Sequence, residues 1–495
     1  MVDTPNDPHS TRMSHADAPG SLRRMATGIS RLDDLLGGGL VRGSSYIVQG
    51  PPGAGKTILA NQACFERARH GERALYLSVL SESFGQMFAF LEAMSFFDRT
   101  RIPDKVYYTS VYAALRDGGL PRIVRLVHDE VRRHRPSLVV LDGLYVAGET
   151  SKDQEEAFRR FVNELGALGT MAGASLLLLT NASRRPSSPE YTMVDGWIEL
   201  SDDLLEDGQA QRSIVVHKHR GGPILRGRHD YVIRPDGITV FPRLEALTLG
   251  SPDAEPPDRR LRSGIAALDR MTAGGLPAAS SSVVAGPTGT GKTTMGLQFL
   301  AAASPDCPAL FVGFYEPPER LRRKASRIGL DLGALEAEGA LSFLWQPPHG
   351  ILIDEIGQRV LDAVAKTGAR RVVVDGMNAL RRPEANGSRL PAFLRAFNDL
   401  LKARGATTLF TREVPQLFFP EALGIDELSG VIDNTILLHY AIDGPEVGRR
   451  ATILKLRDGD FDHASRAYTI TDRGLEFSLD GQDGSLPSGP DGSAS

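Results

Sequence analysis

The chain has 495 residues, enough for two large domains, and its 41% hydrophobic content is enough for packed cores. A formal net charge of −4 gives no global footprint for nucleic acid, and the two isolated cysteines, Cys64 and Cys307, exclude a zinc ribbon and a disulfide framework. No apolar run approaches the ~18 residues of a membrane span and the first residues lack a signal-peptide pattern, so the expected location is the cytoplasm.

Residues 1–21 are polar and proline-containing and read as disordered. A first domain is expected over 22–248, opening with Gly28-Ile29-Ser30-Arg31-Leu32-Asp33 and the turn Gly38-Gly39-Leu40. Tyr46-Ile47-Val48 reads as a short buried strand. It runs into Gly50-Pro51-Pro52-Gly53-Ala54-Gly55-Lys56-Thr57, a full match to G-x-x-x-x-G-K-[ST], and a helix is expected from Ile58. Gly50, Gly53 and Gly55 let the backbone approach phosphate oxygens, and successive N–H groups ahead of a helix N-terminus form an anion-binding concavity. Lys56 is the expected phosphate-binding cation and Thr57 the expected Mg²⁺-binding hydroxyl, so the pattern implies ATP and Mg²⁺.

The apolar run Ser137-Leu138-Val139-Val140-Leu141 leads to Asp142. This is the Walker B pattern, a buried strand with a carboxylate at its C-terminal tip that holds Mg²⁺ directly or through water. Taken alone, Asp142 also reads as the opening of an Asp-Gly turn. Another apolar strand, 175–180, follows, and then Val216-His217-Lys218-His219-Arg220-Gly221. In a regular strand His217 and His219 share one face with Lys218 opposite. Residues 249–258 are rich in Pro and Asp and read as a linker.

The second domain, expected over 259–480, repeats the first at an offset of 236. Gly264-Ile265-Ala266-Ala267-Leu268-Asp269 and Gly274-Gly275-Leu276 match the opening segments. Val283-Val284-Ala285 is the strand entering a second full motif, Gly286-Pro287-Thr288-Gly289-Thr290-Gly291-Lys292-Thr293, with Thr294 next in the helix. Gly286, Gly289 and Gly291 would cradle the phosphates, Lys292 would reach them and Thr293 would bind Mg²⁺. Arg371-Val372-Val373-Val374 leads to Asp375, and Thr407-Thr408-Leu409-Phe410-Thr411 is a further strand. Tyr231-Val232-Ile233 and Gly237 return as Tyr468-Thr469-Ile470 and Gly474, offset by 237. Strands alternating with helices predict an α/β fold in each half, a mainly parallel sheet with helices on both faces. Residues 481–495 are rich in Gly, Ser, Asp and Pro and read as a disordered tail.

The Leu-Asp segment, the Gly-Gly turn, the strand and P-loop, the acid-tipped strand and the late Lys-x-Arg segment occur in this order twice. In this the chain resembles two tandem RecA-like P-loop ATPase domains, and specifically the KaiC family of double-domain clock ATPases and autokinases, over about 22–248 and 259–480. The resemblance implies a homo-oligomer, a hexameric ring with ATP between subunits. Lys218 and Arg220, and Lys455 and Arg457 of Ile453-Leu454-Lys455-Leu456-Arg457, would reach the neighbour's nucleotide. A charged strand edge that deters aggregation is the other reading of these cations. The family carries paired glutamates after the second core strand. Here Glu316 stands in Phe314-Tyr315-Glu316-Pro317 with Tyr315 at the partner position, and the first half has Leu80 and Ser81 there with Glu82 one residue on. Glu316 is the expected base or water-orienting group, Glu82 the weaker counterpart, and the second half the better hydrolase.

The family's two adjacent phosphoacceptors become Ser429 and Gly430, which leaves Ser429 as a phosphoacceptor candidate or a turn residue. The short tail gives no support for the family's regulatory partner there, and a signalling protein of unknown identity is the expected partner. A DNA-dependent ATPase is the competing activity. Its candidate basic runs, Arg132-Arg133-His134-Arg135 and Arg320-Leu321-Arg322-Arg323-Lys324, contain no aromatic residue for base stacking, and a solvated helix end is the simpler reading. A nucleotide-responsive scaffold with little turnover is the third.

Overall fold

The computed structural model describes residues 22–79, 84–144, 152–181, 190–205, 208–248, 259–347, 352–380, 389–415, 430–443, 445–457 and 459–478. The chain divides into two compact units, Met1–Pro242 and Arg243–Ser495. The expected linker, both termini, Glu82 and Ser429 lie outside the described residues.

In the first unit the P-loop strand β1 (Ser45–Gln49) leads to helix α1 (Lys56–Arg69). There follow β2 (Ala74–Ser78), β3 (Val106–Ser110), α2 (Tyr112–His134), β4 (Leu138–Leu144), α3 (Lys152–Ala172) and β5 (Ser175–Thr180). The unit closes with β6 (Gly196–Leu204), β7 (Ala210–His219), β8 (Arg228–Arg234) and β9 (Gly237–Phe241). One nine-stranded sheet runs β9-β8-β7-β6-β1-β5-β4-β2-β3. The strands from β6 to β3 are parallel, and β7, β8 and β9 extend the sheet antiparallel from β6.

Side chains alternate between two cores, as a sheet covered on both faces requires. Tyr46, Tyr76, Val140 and Leu177 join Leu59, Ala63 and Phe65 of α1. Ile47, Leu75, Leu77, Val139 and Leu141 join Val127 and Val131 of α2 and Phe158 and Phe161 of α3. Each Val, Leu, Ile or Phe side chain so withdrawn from water contributes about 1.5–3 kcal/mol before the entropy of ordering is counted.

The second unit repeats the plan. It contains β10 (Ser281–Gly286), α4 (Lys292–Ala301), β11 (Ala309–Gly313), α5 (Pro318–Ser326), β12 (Leu341–Trp345), α6 (Ile353–Thr367) and β13 (Arg371–Asp375). These lead into α7 (Leu390–Ala403), β14 (Thr407–Glu413), β15 (Asn434–Asp443), β16 (Glu446–Lys455), β17 (Arg466–Thr471) and β18 (Gly474–Phe477). The sheet order β12-β11-β13-β14-β10-β15-β16-β17-β18 is that of the first unit, strand for strand. The expected tandem α/β architecture is therefore present, with an antiparallel three-strand extension in each half.

A short helix, Leu244–Leu247, belongs to the second unit. Leu244 is buried in that unit's core beside Ile353 and Phe393. Glu245 accepts two hydrogen bonds from Arg389, at 2.8 and 2.7 Å, and Arg389 also pairs with the fully buried Asp354 at 2.8 Å.

Candidate functional site

Both P-loops leave the C-terminal end of the central strand of their sheet, the end where ligands bind in open α/β folds. Gly55 and Gly291 cap the following helices at φ 87°, a left-handed backbone that favours glycine. Gly50 and Gly286 approach a neighbouring strand closely. A Cβ there would lie 2.6 Å from the carbonyl oxygen of Leu200 and 2.3 Å from that of Leu438.

The later repeats support the loops from behind. The Tyr231 hydroxyl donates to the carbonyl oxygen of Ala54, and the Tyr468 hydroxyl to that of Thr290 at 2.6 Å. Ile233 and Ile470 fill the space beside Gly55 and Gly291. Gln62 and Gln298 accept the backbone N–H of Ile238 and Leu475, both at 2.9 Å, which fastens α1 and α4 to the last strand of each sheet. The opening repeat has a structural cause as well. Asp33 accepts from the N–H of Thr27 at 2.9 Å and Asp269 from that of Ser263 at 2.7 Å, closing equivalent turns.

In the first unit Lys56, Thr57, Asp142, Gly143, Leu179 and Asn181 line a cavity of about 350 Å³. Lys56 Nζ donates to the carbonyls of Gly50 and Pro51 at 2.7 and 2.9 Å. Burial lowers its pKa, opposed by the charge of Asp142. Thr57 Oγ1 donates to Asp142 Oδ2 at 3.0 Å, and the Tyr76 hydroxyl donates to the same oxygen at 2.5 Å.

The second unit holds its carboxylate differently. Thr293 Oγ1 donates to Asp375 Oδ2 at 3.1 Å, but the residue matching Tyr76 is Phe311, which has no hydroxyl. Thr411 of β14 donates to Asp375 Oδ1 instead, at 2.6 Å, and accepts the N–H of Gly376 at 2.8 Å. Leu179 is its counterpart in the first unit. Burial raises the Asp375 pKa above the usual carboxylate value, against the lowering effect of the Thr411 and Thr293 hydroxyls. Lys292 Nζ donates to Pro287 O at 2.7 Å, and its pKa is lowered by burial. In each unit a hydroxyl and a carboxylate stand side by side beside the P-loop. This hard-oxygen pair suits Mg²⁺, which commonly takes one or two protein ligands and completes its shell with phosphate and water.

Glu316 follows β11, and its carboxylate is paired with Lys324 of α5 at 2.7 and 3.0 Å. Both charges act on Asp375, which places the pair beside the acid-tipped strand. Tyr315 is exposed, its ring against Gly376. Thr294 lies half-buried in the first turn of α4.

The Lys-x-Arg segments sit elsewhere. Lys218 is opposite Trp197, near the start of β6, whereas the P-loop leaves the far end of the parallel strands. Its amino group donates to the carbonyls of Tyr191 and Thr192 at 3.1 and 2.9 Å, and Arg220 lies 3.7 Å from Asp195. Lys455 ends β16 and donates to Ile432 O at 2.8 Å, while Arg457 lies 3.4 Å from Asp433. The fold thus gathers Lys, Thr and Asp at each P-loop and sets these four cations apart from their own unit's loop.

The expectation for His217 and His219 is corrected. The β6–β7 register shifts between Trp197 and Ile198, and this bulge makes His217 the extra residue. His217 is exposed, stacked on Trp197 and bonded to Glu199 at 2.6 Å, whereas His219 is buried 3.1 Å from Arg24. The residues that sequence reading missed are Tyr76, Thr411, Lys324 and Glu413. An acid at the tip of an apolar strand, the signal that singled out Asp142, also marks Glu413.

No helix among the described residues is long and apolar enough to cross a membrane. The model of the KaiC ATPase family matches residues 25–245 and again 261–481. Circadian clock protein KaiC3 of Synechocystis sp. is 27% identical over 479 residues, covering 92% of each chain. Circadian clock oscillator protein KaiC of Thermostichus vulcanus and that of Synechococcus elongatus are each 24% identical over 472 residues, covering 92% of this chain and 89% of theirs. With two matches that together span most of its length, on two sheets of the same strand order, the chain belongs to the KaiC family of ATPases and carries the ATPase domain twice.

Proposed function

We propose that this chain is an Mg²⁺-dependent ATPase that assembles with copies of itself into a ring, hexameric as the family resemblance implies, and that its second unit is the main hydrolase. The carrying observation is the P-loop lysine, threonine and neighbouring aspartate met in both units, Lys56, Thr57 and Asp142 and then Lys292, Thr293 and Asp375. Gly50, Gly53 and Gly55, and Gly286, Gly289 and Gly291, would cradle the phosphates. Thr57 with Asp142, and Thr293 with Asp375, would hold Mg²⁺, which neutralises charge on the β- and γ-phosphates. Glu316 would orient or deprotonate the attacking water.

Ring assembly is supported by the position of Lys218, Arg220, Lys455 and Arg457. They lie at the opposite end of the strands from their own P-loop, which supports a role toward a nucleotide held by another copy. A cation supplied in this way stabilises the charge on the transferred phosphoryl group. Nucleotide state would then alter subunit contacts and make the ring a switch for a signalling partner. Autophosphorylation at Ser429 is a further activity of the same site under this reading.

The test is to incubate the protein with Mg²⁺ and γ-labelled ATP and follow phosphate release, protein-bound label and sedimentation. Lys292→Ala is expected to remove most phosphate release and Lys56→Ala to leave most of it. Loss of turnover in Lys56→Ala with turnover intact in Lys292→Ala overturns the assignment. An ATP-independent monomer removes the ring.

A further inference from the structure

The second unit carries an acid that the proposed mechanism does not yet use. Glu413 is the last residue of β14, the strand between the acid-tipped strand β13 and the P-loop strand β10. Two residues earlier, and so on the same face of the strand, Thr411 grips Asp375. Glu413 itself accepts the Thr288 hydroxyl at 2.5 Å, from within the P-loop. Its backbone carbonyl accepts Asn378 Nδ2 at 3.1 Å, which fixes the strand tip to the loop after Asp375. The side chain is exposed toward the site, and among the described residues no Lys or Arg lies within ion-pair distance of it. Its charge is nonetheless the largest electrostatic influence on Lys292, ahead of Asp375, and it also acts on the Tyr315 phenol.

The first unit makes the contrast. Gln49 pairs with Thr180 as Ala285 pairs with Arg412, so the residue in Glu413's place is Asn181. Asn181 lines the first unit's nucleotide-sized cavity, so this strand tip faces the cavity. One unit thus presents a neutral amide there and the other a carboxylate. Glu316, the other acid of the second site, is engaged by the Lys324 ammonium, which holds its charge in an ion pair.

We propose that Glu413 is a second catalytic carboxylate of the second unit and the proton acceptor for the attacking water. The claim rests on the reading of that unit as an ATPase. As the water oxygen bonds to the γ-phosphorus, Glu413 takes the water's proton. The bond from the γ-phosphorus to the β,γ-bridging oxygen breaks with its electron pair leaving on ADP, and the proton passes on to the released phosphate. Glu316, held by Lys324, orients the water. An amide cannot accept that proton, which separates the two units chemically.

The experiment compares the parent chain, Lys292→Ala, Glu413→Gln and Glu413→Asp, and takes as the second unit's share the release that Lys292→Ala removes. Two quantities are read: phosphate release, and affinity for a non-hydrolysed ATP analogue against ADP, both with Mg²⁺. Glu413→Gln is expected to slow the second unit's release by about 100-fold or more, the usual share of a general base, with Glu413→Asp between it and the parent. Removing a negative charge near the γ-phosphate is also expected to strengthen binding of the analogue relative to ADP by roughly threefold to tenfold. Turnover of Glu413→Gln at the parent rate overturns the proposal. So does a loss of analogue affinity that matches the loss of turnover, which would make Glu413 a support of the P-loop. If Lys292→Ala releases phosphate at the parent rate, the reading of the second unit as the hydrolase fails by itself. The Glu413 claim is then decided by the binding ratio, and an unchanged ratio overturns it.

Discussion

Glu245→Gln keeps the size of the side chain and removes the charge that Arg389 grips. In the folded protein hydrogen bonds from Arg389 hold the Glu245 carboxyl at about 2, against its ordinary 4.5, despite the opposing effect of burial. At about 1.4 kcal/mol per pH unit, that difference is worth about 3 kcal/mol at neutral pH. Because the folded value is the lower one, the contribution is complete above pH 4.5 and is lost as the pH falls toward 2. Urea unfolding of the second unit can be followed through Trp345 in a Trp197→Phe background, since the chain has only these two tryptophans. Glu245→Gln is expected to be less stable by about 3 kcal/mol at pH 7, and the gap is expected to fall below half of that at pH 3. A gap that is the same at both pH values, or under about 0.5 kcal/mol at pH 7, refutes the reasoning, since it would show that the ion pair contributes no more than an exposed one.

Tyr468→Phe retains the ring stacked on Phe477 and leaves the buried Thr290 carbonyl without its phenol donor. The expected cost is about 1–3 kcal/mol, seen as a melting point lower by roughly 2–4 °C for each kcal/mol, and weaker ATP binding at the second site by isothermal titration. Asp375→Asn removes a carboxylate whose pKa is raised by burial. A raised acid destabilises the folded state above that pKa, so the variant is expected to melt at a higher temperature without ligand at pH 7 while losing Mg²⁺-dependent nucleotide binding.

The duplication, both P-loops and both acid-tipped strands were legible because each motif's residues are adjacent in sequence and the opening segments and P-loops recur at an offset of 236. The Tyr-x-Ile and Gly repeats near the end of each half were visible too, but not their purpose. Tyr468 touches a loop some 178 positions earlier, and only the sheet order brings the two together. Glu316 was singled out in the sequence, but its pairing with Lys324 crosses a strand-to-helix turn that spacing does not reveal. The strand face of His217 was misjudged because a bulge inserts a residue where strict alternation was assumed. Glu413 was passed over because the strand was read as ending at Thr411, two residues short of the acid.

The two ways of holding the acid-tipped strand restrict how residues can be exchanged between the halves. Tyr76 with Leu179, and Phe311 with Thr411, on the two strands flanking the acid-tipped strand, each leave one hydroxyl on the carboxylate in addition to the P-loop threonine. Moving one residue alone produces either two such hydroxyls or none. Drift from one arrangement to the other without loss must therefore pass through the doubly hydroxylated form, adding the new donor before the old one is removed. A graft of one half's site onto the other has to carry both positions together.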